Sequence, residues 1–465
     1  MIWIVVVFVL GYLLITLEHN LHINKAATAL VAGVLCWTIF ALNAVEVEPV
    51  VEELTHHLSE ISAILFFLLA AMTIVEIIDM HDGFDVIVSR IETNSQRKLF
   101  WIISLLAFFL SSILDNLKAT IVLVSFLRKL VPDKHERFFY AGLVVVAANA
   151  GGAFTPIGDV TTTMLWIGGQ VTTANIIQTL FLPSVACLLV PLIYLSFTKR
   201  GTIEKRPNVA SDEIIPVHEA NRDTTVLERR VVLILGVLSL VFVPVFKTVT
   251  HLPPYMGVLL GLGVLWTVTE IIHRSKEEHV KNKYSVLVAL KKVDTSTVLF
   301  FLGILLSVGA LQSAGQLASA ATFLSNEVGN FYLINFLVGL FSSVVDNVPL
   351  VAAMMRMYGG DFATDHSFWE FLAYCAGTGG SVLIIGSAAG VAVMGMEKIP
   401  FGWYLRKISL LALAGYIAGA AVYLIQLEVM GGDEMPQAIE VIDEQQSHQS
   451  LDHNFTTSDM LLIEQ

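Results

Sequence analysis

Two hexapeptides, SSILDN at 111–116 and SSVVDN at 342–347, each set an Asp-Asn pair in the middle of an apolar stretch long enough to enter a bilayer. A carboxylate in hydrocarbon is costly, and by default it marks a substrate or ion path facing protein or water. The first hexapeptide leads through a basic turn into ANAGGAFTPIGDVTTT at 148–163, which adds Asn149, Thr155, Asp159, Thr161 and Thr162 beside glycines and a proline. Helix breakers at membrane depth are tolerated only where protein covers the freed backbone or a cavity receives it. The chain is thereby constrained to helices packed around a polar interior.

Composition agrees: 55% of residues are hydrophobic and 14% charged, against roughly 25% charged in a soluble domain. The expected class is an all-α polytopic membrane protein. The net charge of -13 reflects acidic residues gathered in a loop at 46–60 and in the tail. No basic, aromatic surface pattern suggests nucleic acid. No GxxxxGK[ST] loop exists to bind ATP. Cys36, Cys187 and Cys375 are scattered, without metal or disulfide spacing. The first segment lacks the basic start and small-residue cleavage site of a signal peptide, so it reads as a retained span.

A window of about 20 apolar residues gives about ten transmembrane helices, near 1–17, 25–42, 61–80, 138–168, 175–198, 231–247, 254–273, 296–313, 367–396 and 402–428. The stretches 99–130 and 330–357, broken at their Asp-Asn pairs, read as re-entrant hairpins. Basic residues flank the first on both sides and acidic residues the second, so the first should enter from the cytoplasm and the second from outside. On that topology all of the 27 Lys and Arg fall in cytoplasmic loops except Lys118, Lys247 and Arg356, and both termini lie outside.

The chain also repeats itself. SSILDN returns as SSVVDN after 231 residues, Gly151-Gly152 and Gly158 return as Gly379-Gly380 and Gly386 after 228, and EISAILFFL at 60–68 returns as DTSTVLFFL at 294–302 after 234. Each half holds five spans, an odd number, so the halves should be inverted, as in secondary transporters with broken helices at the midplane. The expected divisions are a first repeat over 1–198, a cytoplasmic linker over 199–230, a second repeat over 231–428 and an acidic, disordered tail over 429–465.

Na⁺ is a hard cation that favours carboxylate, hydroxyl, amide and carbonyl oxygens. The candidate ligands are Asp115, Asn116, Asn149, Thr155, Asp159, Thr161, Thr162, Asp346, Asn347, Thr378, Ser381 and Ser387, with Na⁺ held through Asp115, Asp159 and Asp346. A buried Asp that holds either H⁺ or Na⁺ is the minimum machinery for exchange. Two plainer readings stand beside this. Asp115 and Asp346 are placed to cap the hairpins' second arms, and Lys118 is either a displaceable partner for a carboxylate or a structural ion pair. Glu76 and Asp79 read as boundary residues, and His81 and His273 as helix-end caps. No cofactor is called for beyond the transported ions.

The paired motifs SSILDN with ANAGGAFTPIGDVTTTMLW, and SSVVDNVPLVAAM with GTGGSVLIIGSAAGVAVMG, resemble the NhaD-type sodium/proton antiporters of bacteria, across essentially all of residues 1–428. The resemblance implies exchange of Na⁺ or Li⁺ for H⁺ in the bacterial cytoplasmic (inner) membrane. It also implies a homodimer working by an elevator motion, with Asp115, Asn116, Asp159, Asp346 and Asn347 at the motif positions. Arsenite permeases and dicarboxylate transporters share the wider superfamily. A dianion is opposed by the acidic hairpin tips, whereas a neutral oxyacid such as arsenite is the alternative cargo.

Overall fold

The computed structural model describes residues 2–16, 18–21, 23–88, 91, 93–199, 201–202 and 223–429. Most of the expected linker and nearly all of the tail lie outside those residues. The helices of eight residues or more are α1 (Ile2–Thr16), α2 (Lys25–Asn43), α3 (Glu48–Met80), α4 (Gln96–Leu114), α5 (Asn116–Leu130), α6 (Lys134–Ala153), α7 (Val160–Ile167), α8 (Thr173–Thr198), α9 (Val226–Thr250), α10 (Pro254–His273), α11 (Thr295–Ser313), α12 (Gln316–Glu327), α13 (Phe331–Phe341), α14 (Asn347–Tyr358), α15 (Ser367–Gly379), α16 (Ala388–Glu397) and α17 (Ser409–Val429).

The protein is an all-α polytopic membrane protein. Among the described residues, eight helical segments are long and apolar enough to cross a bilayer. Seven coincide with expected spans, and the eighth is α4, the first arm of the first hairpin. The two expected broken helices are absent from the eight because each is split, at 154–159 and at 380–387: α7, α15 and α16 are too short to cross alone, and α6, at 20 residues, opens on Lys134, Glu136 and Arg137 and is too polar. α1 is also short, at 15 residues. Side chains such as Val31, Leu182, Leu238, Leu260 and Ile425 are exposed on the outer faces, as expected of surfaces turned to lipid.

α3 differs from expectation. The acidic segment read as a loop is helical from Glu48 onward, giving a helix of 33 residues. Pro49 sits in the first turn, where its missing N–H costs nothing, and Glu, Leu and His continue the helix without a breaker. Hydropathy ends where the apolar window ends, but helical geometry does not.

The helices form two bodies. α1, α2, α3, α9, α10 and α11 pack together as a scaffold, with α2 against α11 its most extensive contact. There Gly33 and Gly303 let the two backbones meet: a Cβ at Gly33 would strike Gly303 O, and one at Gly303 the backbone of Ala29 and Leu30. α4–α8 and α13–α17 form the second body, which carries both hairpins and both broken helices.

Contacts recur in pairs at the repeat spacing. α1 on α2 matches α9 on α10, α2 on α11 matches α10 on α3, α4 on α6 matches α13 on α15, and α5 on α16 matches α14 on α7. The agreement extends to single atoms. Ser111 Oγ donates to Ala148 O at 2.6 Å, and Ser342 Oγ to Ala376 O at 3.1 Å. Gly151 lies against the backbone of Phe108, and Gly379 against that of Gly339. A side chain at either glycine would push a hairpin arm off its broken helix.

Candidate ion-binding site

Each hairpin turns at its Asp-Asn pair, and each broken helix is interrupted at its Gly-rich segment. The second body brings all four interruptions together. At the centre is Asp159, the residue just before α7. A residue in that position ordinarily caps its own helix, but this carboxylate makes no capping bond. It accepts instead from Asn116 Nδ2 on Oδ1 at 3.1 Å and from Asn347 Nδ2 on Oδ2 at 3.3 Å. The Thr161 hydroxyl also donates to Oδ2. Asn116 Nδ2 lies 3.1 Å from Asn149 Oδ1, and Asn149 Nδ2 donates to Ser381 Oγ at 3.0 Å.

One carboxylate is thus surrounded by neutral hard donors from both hairpin tips and both breaks. All six side chains are buried, Asp159 at 3% exposure and Asn149 and Thr161 at 0%. A buried carboxylate must be matched by hydrogen bonds and by a single positive charge. The N-terminus of α7 adds a favourable dipole.

The family profile described as a citrate transporter matches residues 12–360. Over 421 residues the chain is 50% identical to sodium/proton antiporter 1 of Arabidopsis thaliana, covering 90% of this chain and 71% of that protein. Sodium/proton antiporter 2 of the same plant is 46% identical, over 90% of this chain and 97% of the relative. The Na(+)/H(+) antiporter NhaD of Alkalimonas amylolytica is 32% identical, over 90% of this chain and 89% of its own. The chain belongs to this family and, within it, to the NhaD-type sodium/proton antiporters.

The other candidate residues of this NhaD-type chain stand apart from the cluster. Thr155 Oγ1 donates to Ser112 O at 2.7 Å, Thr162 Oγ1 to Ala153 O at 3.3 Å and Thr378 Oγ1 to Tyr374 O at 2.6 Å. Ser387 holds the position in the second half that Asp159 holds in the first, yet its Oγ caps Gly390 N at 3.1 Å. These hydroxyls shape the breaks.

Both hairpin aspartates cap the arms that follow them. Asp115 Oδ1 accepts from Leu117 N at 2.8 Å and Asp346 Oδ1 from Val348 N at 3.2 Å. The two tips are otherwise unlike. Asp115 has φ of 95°, a conformation that costs a non-glycine residue about 1–3 kcal/mol and recurs at functional sites. Its carboxylate borders a cavity lined by Met72 and Val75 of α3, Lys118 of α5 and Val160 and Thr163 of α7. Asp346 is unstrained and pairs with Lys25 Nζ at 3.1 Å. Among the described residues no three His, Cys, Asp or Glu side chains form a metal cage. Asp115 and Asp346, each bonded to the arm it caps, stand outside the hydrogen-bonded cluster around Asp159.

Lys118 pairs with Glu76 Oε2 at 3.0 Å. Glu76, read from sequence as a boundary residue, is buried at 6% exposure. Lys25 is a second residue that sequence reasoning passed over. An acid within an apolar helix was the available signal for Glu76; for Lys25, at a helix start on the basic side, there was none.

Proposed function

We propose that this chain exchanges Na⁺ or Li⁺ for H⁺ across its membrane by alternating access, the hairpin-bearing body moving against the scaffold. The observation that carries the reading is the buried Asp159 carboxylate gripped by Asn116 from one hairpin tip and Asn347 from the other. An anion bound there needs one positive charge, and a proton or a small alkali ion supplies it. The two then compete for one group, and competition couples their fluxes. Thr161, Asn149 and Ser381 complete an oxygen-rich surround suited to a hard ion. Asp115, on its strained turn beside the cavity, is assigned to the approach path, and no cofactor takes part.

The names of the relatives agree with sodium and protons as the exchanged ions. The citrate in the name of the family profile does not transfer, because a multiply charged anion beside Asp159 meets repulsion strengthened by the low dielectric of the interior. Inverted halves, both termini outside and a homodimer belong to the same proposal and rest on the charge distribution and the family resemblance. The bacterial cytoplasmic membrane is supported by the bacterial NhaD relatives, but the plant proteins share more identity. The proposed host is accordingly any membrane that maintains a proton gradient.

The test uses everted vesicles holding the protein, with a pH-sensitive dye. Collapse of a preformed ΔpH on adding NaCl or LiCl, but not KCl, is expected. Arsenite efflux with no response to either salt would replace the proposal with its neutral-oxyacid rival.

A further inference from the structure

Three basic residues escape the sorting of positive charge to one side: Lys118, Lys247 and Arg356. In the structure all three bridge the boundary between the two bodies. Lys118 of α5 pairs with Glu76 of α3 at 3.0 Å, and Arg356 of α14 with Glu60 of α3 at 2.5 Å. Lys247 of α9 donates to Trp166 O at the end of α7 at 2.9 Å. A fourth link, Lys25 of α2 to Asp346, crosses the same boundary.

α3 is the shared element. It presents one carboxylate to the second arm of each hairpin, 16 residues apart in the chain, or about 24 Å along the helix. Each of these carboxylates also has a second partner that stays with the scaffold. Glu76 Oε1 lies 3.8 Å from Lys292 Nζ, and Glu60 lies 3.7 Å and 3.9 Å from ring nitrogens of His56 and His57. Glu76 is buried, and a buried acid whose only cation departs is left uncompensated, which would forbid the motion; Glu60 is 42% exposed, so solvent as well as the neighbouring histidines can replace Arg356 there. An acid with a resident alternative can let its cation go.

We propose that Glu60 and Glu76 are exchangeable latches. Each holds a hairpin in the position seen here and passes to its scaffold partner when the hairpin-bearing body moves. Breaking both favours the alternative position, and the sodium affinities on the two faces change in opposite senses. The inference rests on the alternating-access reading, but not on sodium being the cargo.

Two measurements test it, on the full-length protein in proteoliposomes. In the first, spin labels at Thr55 of α3 and Asp361, just beyond α14, both exposed, report the distance between the bodies. Glu60→Gln with Glu76→Gln should add or enlarge a second distance population. The charge-exchanged pair Glu76→Lys with Lys118→Glu should restore the original distribution. In the second, the ratio of sodium KM on the two faces should shift about fivefold or more in the double variant, with kcat changing less, and return to within about twofold in the exchanged pair. A population shift of that size is the expected response to losing interactions made in one state only. An unchanged distance distribution in folded double variant overturns the latch, as does a charge-exchanged pair that folds without restoring it. A shifted distribution in a protein whose wild type moves no sodium upholds the latch and overturns the cargo.

Discussion

Replacing Asp159 with Asn removes the one titratable group at the centre of the cluster while nearly preserving its volume. The cost to the fold follows from the bonds it accepts. Oδ1 receives Asn116, while Oδ2 receives Asn347 and the Thr161 hydroxyl. An amide nitrogen on the first side meets the NH₂ of Asn116; on the second it meets that of Asn347, while the Thr161 hydroxyl turns to accept. Either orientation loses one hydrogen bond to a charged acceptor, about 1.5–3 kcal/mol. Relief from burying a charge offsets part of that. Asp159→Asn is therefore expected to fold, with a modest change in melting temperature in detergent. Coupled exchange should disappear, since an amide holds neither the proton nor the ion's counter-charge. Size-exclusion profiles on heating measure the first effect, and sodium-driven collapse of ΔpH in everted vesicles the second. Wild-type coupled exchange in a folded Asp159→Asn protein would refute the assignment of Asp159 and the competition mechanism with it.

Three further outcomes are expected. Thr161→Val removes a hydroxyl from Asp159 and should raise the sodium KM about tenfold at little cost to stability, from one charged hydrogen bond of about 1.5 kcal/mol; flux against sodium concentration reads it. Glu397, buried at 2% exposure, joins Arg137 at 2.7 Å and Arg128 at 2.6 Å, so Glu397→Gln strands the half-withdrawn Arg137 and should destabilise by about 3 kcal/mol, seen as a lower melting temperature. Burial holds the His81 imidazole below its ordinary range, and its Nε2 lies 2.9 Å from that of His273. A depressed histidine binds protons more readily unfolded than folded, so its contribution to stability is intact above the unfolded value of about 6.5 and falls as pH drops through it. His81→Gln should flatten that acid limb in melting curves taken across pH.

The core of the site was legible because its chemistry is out of place. Asn116, Asn149, Asp159, Thr161, Asn347 and Ser381 are polar groups in apolar stretches next to breakers, and the structure gathers them. Thr155, Thr162, Thr378 and Ser387 share that signature in sequence, but their hydroxyls bond nearby backbone, a choice decided by local turn geometry that no spacing encodes. Lys118 and Glu76 lie 42 residues apart, and only tertiary packing selects that partner over Asp115, three positions away. The charge rule sorted the loops yet left Lys118, Lys247 and Arg356 unassigned, and these three meet partners across the boundary between the bodies. The unlike backbones at Asp115 and Asp346 were hidden for the opposite reason, since nearly identical hexapeptides give no cause to expect one strained tip.

The difference between the halves is what makes exchange possible within so regular a frame. Matching serines, glycines and hairpin asparagines give both breaks the same architecture, and a fully symmetric chain would place equivalent charges at both. Two carboxylates sharing one site repel, so one keeps its proton and the pair titrates as a unit. Here Asp159 has Ser387 as its counterpart, and Thr161 has Ala389. Ser387 spends its oxygen on a helix cap, leaving Asp159 as the only acid in the cluster, with an asparagine from each half pointed at it. A single negative charge among neutral donors is balanced by one monovalent cation and overbalanced by two. On the proposed mechanism, repetition supplies the cradle, and the departure from repetition limits its occupant to one ion at a time.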